Sequence, residues 1–423
     1  MLATILTAFK VADIRKKLAI TMFILALYRL GAHIPVPGIN VEAVKSVSES
    51  FSGSSILGFL DLFSGGALSR VALFALGIMP YITASIILQL LTVVVPSLEK
   101  LQKEGEVGQQ RITQYTRYLT VGLAFGQSIG YVFLFKSFTA SAGQPLVDDF
   151  TAARVFMIVL ALTTGCVLVM WMGELITQRG IGNGISLMIF ASIVAGLPNG
   201  VQAWATSADP VFKVMMPFIA LAVIAAIVFV QEGQRRIPIQ YAKRVIGRRM
   251  TQGGQTYLPL RVNMAGVIPV IFAASIMAFP PTVGQLLNNE VGRDFAAFFG
   301  PNRWAYIVGE SIFIVLFTYF YTAVTFNPVD QADNLKKYGG FIPGVRPGRP
   351  TAEFLDRVLA RLTFPGALYL AAVAALPTIL IAQTSANFFF GGTSILIVVG
   401  VALDTMKQLE AQLMMRNYEG FLK

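Results

Sequence analysis

Side chains able to do covalent, acid–base or metal chemistry are scarce in these 423 residues. There is one histidine, His33, and one cysteine, Cys166. A catalytic triad needs a histidine set between an acid and a nucleophile, and a zinc site needs several His or Cys ligands. His33 lies close to Pro35 and Pro37 and suits an interfacial position. Cys166 stands inside an apolar run and reads as a small buried hydrophobe. A lone cysteine forms no internal disulfide. No segment reads as a G-x-x-x-x-G-K-[ST] phosphate loop, an H-E-x-x-H zinc helix or a G-x-S-x-G nucleophile elbow. No catalytic residue, metal or cofactor is expected.

The acids within apolar sequence are few. Glu174 and Glu310 fall near the ends of such runs, and Asp404 towards the end of the last. Ion-coupled transport usually needs buried ionisable relays, so these three are a thin basis for it. Arg29, inside the first run, is expected to pair or to snorkel.

The elements that must position these residues are membrane spans. Hydrophobic residues make up 55% of the chain and charged residues 13%, against about 25% charged in soluble domains. Crossing the hydrocarbon takes about 20 apolar residues in a helix. Ten candidates occur, near residues 18–34, 71–95, 118–138, 155–176, 181–197, 214–230, 264–279, 305–326, 362–381 and 393–413. Their apolar runs are continuous, which favours helices over an alternating barrel pattern.

The net charge of +11 suits either nucleic-acid contact or basic cytoplasmic loops. Position separates the two. Alternate segments starting from the N-terminus hold twenty-five Lys and Arg, and the other side holds seven. Basic residues concentrate on the cytoplasmic side, so both termini are expected there. The basic stretch before the first span carries no small-residue cleavage site, so that span reads as an anchor. Two cytoplasmic loops, 231–263 and 327–361, exceed the length of simple connectors. Both mix basic with apolar residues and read as ordered docking surfaces.

A weak repeat links the two halves. Gly77-Ile78-Met79-Pro80-Tyr81-Ile82 and Gly266-Val267-Ile268-Pro269-Val270-Ile271 are each followed closely by Ala-Ser-Ile. They take the second place in two sets of five spans. An odd number of spans per set inverts one half relative to the other, and inverted repeats place a pathway at their interface. Gly65-Gly66 and Pro80 break the second span. Such residues are tolerated at membrane depth where backbone lines a cavity or is covered by protein.

At this point specific strings accumulate. Phe63-Ser64-Gly65-Gly66-Ala67-Leu68-Ser69-Arg70 precedes Ile78-Met79-Pro80-Tyr81-Ile82. Ile34-Pro35-Val36-Pro37-Gly38, Arg179-Gly180-Ile181-Gly182-Asn183-Gly184-Ile185-Ser186, Gly233-Gln234-Arg235-Arg236-Ile237-Pro238, Ala332-Asp333-Asn334-Leu335-Lys336-Lys337 and Gly391-Gly392-Thr393-Ser394 follow along the chain. In this order they resemble the SecY family of bacterial protein translocases, over essentially the whole length.

The resemblance implies an all-α polytopic membrane protein, with ten transmembrane helices in two inverted five-helix halves (1–200 and 201–423) around a central pore. Ile78, Ile82, Ile185, Ile189, Ile271 and Ile397 resemble its pore ring; branched apolar side chains make a dewetted constriction. Residues 57–68, including Leu60, Leu62, Phe63, Ser64, Gly65 and Gly66, resemble its plug. Spans 2 and 7 resemble the lips of a lateral gate, with spans 3 and 8 beside them. Arg244, Arg248, Arg249 and Arg349 resemble positions that dock the ribosome or the SecA ATPase motor. SecE-like and SecG-like small membrane subunits, signal sequences, nascent chains and membrane lipid are the other implied partners. The implied function is a protein-conducting channel of the cell inner membrane. The alternative is a secondary transporter with inverted repeats, which would need a polar midplane site. An intramembrane enzyme is disfavoured by the missing constellations.

Overall fold

The computed structural model describes residues 9, 11–44, 61–137, 145–147, 150–206, 210–241, 244–246, 249–251, 255–286, 290–300, 303–384 and 392–421. Every one of the ten apolar segments meets a helix. In chain order these are α1 (Ala12–Gly31), α2 (Met79–Val94), α4 (Glu106–Ser137), α5 (Ala152–Arg179), α6 (Gly184–Thr206), α7 (Pro210–Glu232), α8 (Ile268–Leu286), α10 (Trp304–Thr325), α12 (Arg349–Thr384) and α13 (Gly392–Phe421). Three shorter helices join them: α3 (Pro96–Lys103), α9 (Glu290–Phe298) and α11 (Pro328–Lys337).

Among the described residues, five helices are long and apolar enough by themselves to cross a bilayer. The apolar α2 is followed directly by α3, and the two are bent by 99° at Val95. Within the described residues the apolar part of α8 is the shorter Ile268–Met277.

Several boundaries differ from expectation. The second span begins at Met79, eight residues late, because 65–78 is a chain of buried turns. The third begins at Glu106 and the ninth at Arg349, each about three turns early. Polar residues there extend helices beyond the apolar run, since helix propensity does not require a hydrophobic surrounding.

The two long loops, 231–263 and 327–361, fold together. In the first, β1 (Gln234–Tyr241) pairs antiparallel with β4 (Gln255–Arg261), Ile237 opposite Leu258. β2 (Arg244–Ile246) and β3 (Arg249–Thr251) form the hairpin between them. β5 (Gly340–Phe341), from the second loop, joins the free edge of β1. Ile237 and Ile239 alternate inward, and Ile237 joins Leu260, Phe326, Ile342, Leu355, Val358 and Leu359 in one apolar cluster. That two-residue alternation gives β1 one buried face. The largest apolar cluster lies among α1, α2, α5, α6, α7, α8, α10, α12 and α13.

Candidate functional site

The segment from Asp61 to Arg70 is pinned by polar bonds inside an apolar wall. From Phe63 to Pro80 nearly every residue is buried or half-buried. Tyr28 of α1 donates to the Ser64 carbonyl at 3.1 Å, and its hydroxyl meets the Ser192 hydroxyl of α6 at 2.6 Å. Arg29 donates to the Gly65 carbonyl at 2.5 Å. Gly65 has φ +68°, and a Cβ there would stand 3.2 Å from Ser192 Cα. Only glycine combines that backbone with that approach. Within the segment, Asp61 Oδ1 accepts from the Ser69 N–H and the Ser64 hydroxyl, which itself accepts from the Leu68 N–H. Leu62 is half-buried, Phe63 and Ser64 buried; Leu60 lies outside the described residues. Next to it, His33 bridges the Arg29 carbonyl and the Arg70 guanidinium. Because Arg70 can only donate, His33 Nε2 accepts, and its proton sits on Nδ1.

The six isoleucines come from four helices and the residue before α2. Ile78, Ile82, Ile189, Ile271 and Ile397 are buried members of the largest apolar cluster, and Ile185 is half-buried against it. Gly173 of α5 opens onto this group. A Cβ there would stand 3.6 Å from Ile78 Cδ1 and 3.7 Å from Ile185 Cγ1.

The repeat is a repeat of geometry. Gly77 and Gly266 both have positive φ, +56° and +63°. Each is followed by a helix start with proline at the second helical residue. The Ile78 carbonyl accepts from the Tyr81 and Ile82 N–H groups; the Val267 carbonyl accepts from those of Val270 and Ile271. Proline tolerates this position because its missing N–H would be unpaired there anyway. The two helices so begun, α2 and α8, pack against each other, flanked by α4 and α10. Across the seam the Ser275 hydroxyl lies 3.9 Å from Met79 Sδ.

Several charged groups have partners. Arg117 of α4 forks onto Glu174 of α5 at 2.9 and 2.6 Å, a bidentate geometry that fixes orientation as well as charge. Lys407 of α13 pairs with Glu232 of α7 at 2.7 Å. Glu310 is buried on α10, and its Oε1 has no hydrogen-bond partner among the described residues. Arg244 and Arg249 fall on β2 and β3, Arg249 opposite Ile246; Arg248 lies outside the described residues. Arg349 starts α12 and pairs with Glu353 at 3.1 Å, both exposed.

One reading of the sequence needs correction. Gly126-Gln127-Ser128-Ile129-Gly130 does spell G-x-S-x-G. Ser128 lies in mid-helix on α4, buried, donating to the Ala124 carbonyl at 2.6 Å, with Thr163 as its other neighbour. A nucleophile elbow needs a strand-to-helix turn with a histidine in reach, and this helix offers neither. Cys166 is buried and free. Among the described residues no three His, Cys, Asp or Glu side chains group as a metal site.

Sequence reasoning did not single out Tyr28, Ser192 or Gly173. Nothing in their local patterns marks them; their spans meet only in three dimensions. Arg29 was legible as a charge needing a partner, though not which partner.

Comparison with known proteins agrees with this geometry. A solved structure described as that of a protein-conducting channel superposes with a TM-score of 0.60 at 20% identity, covering 94% of this chain and 92% of that one. The Sec61 channel of a canine ribosome–channel complex superposes at 0.56 and 19% identity, with the same coverage. The protein translocase subunit SecY of Streptomyces coelicolor is 50% identical over 442 residues, spanning 100% of both chains. The SecY family model matches residues 72–406. Half-identity from end to end, on a shared channel architecture, makes this chain a member of the SecY family.

Proposed function

We propose that this multi-pass membrane protein conducts unfolded polypeptide through a pore between its two halves, and releases apolar segments sideways between α2 and α8. The observation that carries the reading is the convergence of isoleucines from both halves on one apolar cluster. Such a seal excludes water and ions yet imposes no hydrogen-bond geometry on a passing chain. The pinned segment 61–70 supports a plug. The α2–α8 seam supports a lateral gate through which an apolar signal core of about 7–15 residues could partition into lipid. Chemistry is not required of the chain itself, and it is not an enzyme.

The cytoplasmic membrane, with both termini in the cytoplasm, is supported by the charge asymmetry. Arg244, Arg248, Arg249 and Arg349 are read as contacts for acidic or phosphate-rich partners: an ATPase motor of the SecA kind and the ribosome. Small subunits resembling SecE and SecG complete the assembly.

Reconstitution in proteoliposomes with those subunits tests this. Import of a signal-bearing precursor that requires the motor and ATP is expected. Saturable uptake of a small solute without any partner would replace the channel with a transporter.

A further inference from the structure

The loop between α8 and α10, opposite the basic side, carries the amphipathic helix α9. With about 100° per residue, Val291, Phe295 and Phe298 share one narrow face, and all three are exposed. Gly292 is buried towards the protein, while Asp294 and Ala297 are exposed on the remaining side. The helix thus has three sectors: protein, apolar and polar.

The apolar sector is not isolated. Phe298 packs edge-on against Trp304 at 6.3 Å, and Phe299 joins Phe295 and Phe298 at 5.0 and 5.2 Å. Trp304 opens α10, and from it Val308, Ile312, Leu316 and Tyr319 continue down the helix, all exposed. Their spacing of three and four residues is one face of a helix. In a membrane-spanning helix that exposed face is the lipid face. The aromatic face of α9 therefore continues it at the headgroup level, where amphipathic rings concentrate.

We propose that α9 lies in the outer membrane interface, its Val291/Phe295/Phe298 face in lipid and Asp294 in water, anchoring the outer ends of α8 and α10. The inference rests on reading α10 as a membrane span. Its occupant is bilayer lipid, not a second protein.

The test uses the Cys166→Ala full chain with its small subunits, in phosphatidylcholine/phosphatidylglycerol vesicles. Single cysteines at Val291, Ala297 and Leu316 carry an NBD fluorophore. Quenching is measured with iodide in water and with nitroxide lipids labelled at the headgroup or deep in the acyl chain. Probes at Val291 should be quenched roughly threefold more by headgroup nitroxide than at Ala297, as for a face sunk ~5–10 Å into the interface. Iodide should reverse that order. Leu316 should respond to deep nitroxide. If Leu316 responds and Val291 is quenched only by iodide, or by nothing, the proposal fails; the latter outcome would mean that protein covers the face. If Leu316 responds to no lipid quencher, the membrane reading of α10 fails instead. Phe295→Cys repeats the test should Val291→Cys not assemble.

Discussion

Removing one oxygen atom should loosen the plug. Tyr28→Phe deletes the buried hydroxyl that links α1, α6 and the Ser64 carbonyl. Tyr28 is a hydrogen-bond relay: Ser192 can donate to its oxygen while its own proton goes to Ser64. The ring keeps its place, stacked on Phe74 at 5.9 Å, so volume is conserved. What remains is a buried carbonyl short of a donor, at a cost of about 1–3 kcal/mol. That carbonyl can rehydrate once the segment lifts, so the cost falls on the seated state alone. At about 1.4 kcal/mol per factor of ten, the seated-to-lifted ratio should fall roughly 5- to 150-fold. Planar-bilayer conductance of the resting channel reads this directly. Export of a precursor with a weakened signal sequence reads it in cells. In the variant the single Ser192 proton can turn to the Met188 carbonyl, 2.9 Å from its oxygen, so the serine keeps a partner. A double-mutant cycle with Ser192→Ala should therefore show coupling between the two hydroxyls. Resting conductance within twofold of wild type in Tyr28→Phe, with Arg29→Met clearly leaky, would refute a role for the hydroxyl.

The isoleucine cluster and the start of α12 give two further expectations. Ile397 is wholly buried; Ile397→Asn should raise resting ion conductance about tenfold by wetting the seal, whereas the volume-conserving Ile397→Leu should stay tight. Equal conductance of Asn and wild type would remove Ile397 from the constriction. Arg349→Glu sets like charges at Arg349 and Glu353 on an exposed helix start, so its stability cost should stay near 0.2–0.5 kcal/mol. Motor-driven export should nonetheless slow several-fold at normal membrane level, because an attractive contact becomes repulsive; unchanged export would leave Arg349 without a docking role.

What the sequence by itself determined follows from solvent and periodicity. Ten apolar runs, the basic asymmetry and the paired Gly-x-x-Pro strings are local or additive properties, so they are legible without a fold. The strings were legible as a repeat, and the structure shows matching helix starts there, because a positive-φ glycine and an N-terminal proline act through backbone sterics alone. Where polar residues prolong a helix, as at Glu106 and Arg349, hydrophobicity was silent and the boundaries moved. The small sheet of the two long loops was not foreseen, since β5 meets β1 across about a hundred residues of chain. Only the tertiary structure decided that Tyr28, Ser192 and Ser64 share one hydrogen-bonded chain, that Arg29 ends on a plug carbonyl, and that Ser128 in its G-x-S-x-G string is an ordinary helical serine. Each of these depends on which spans lie side by side, and a residue's own neighbours in sequence carry no record of that.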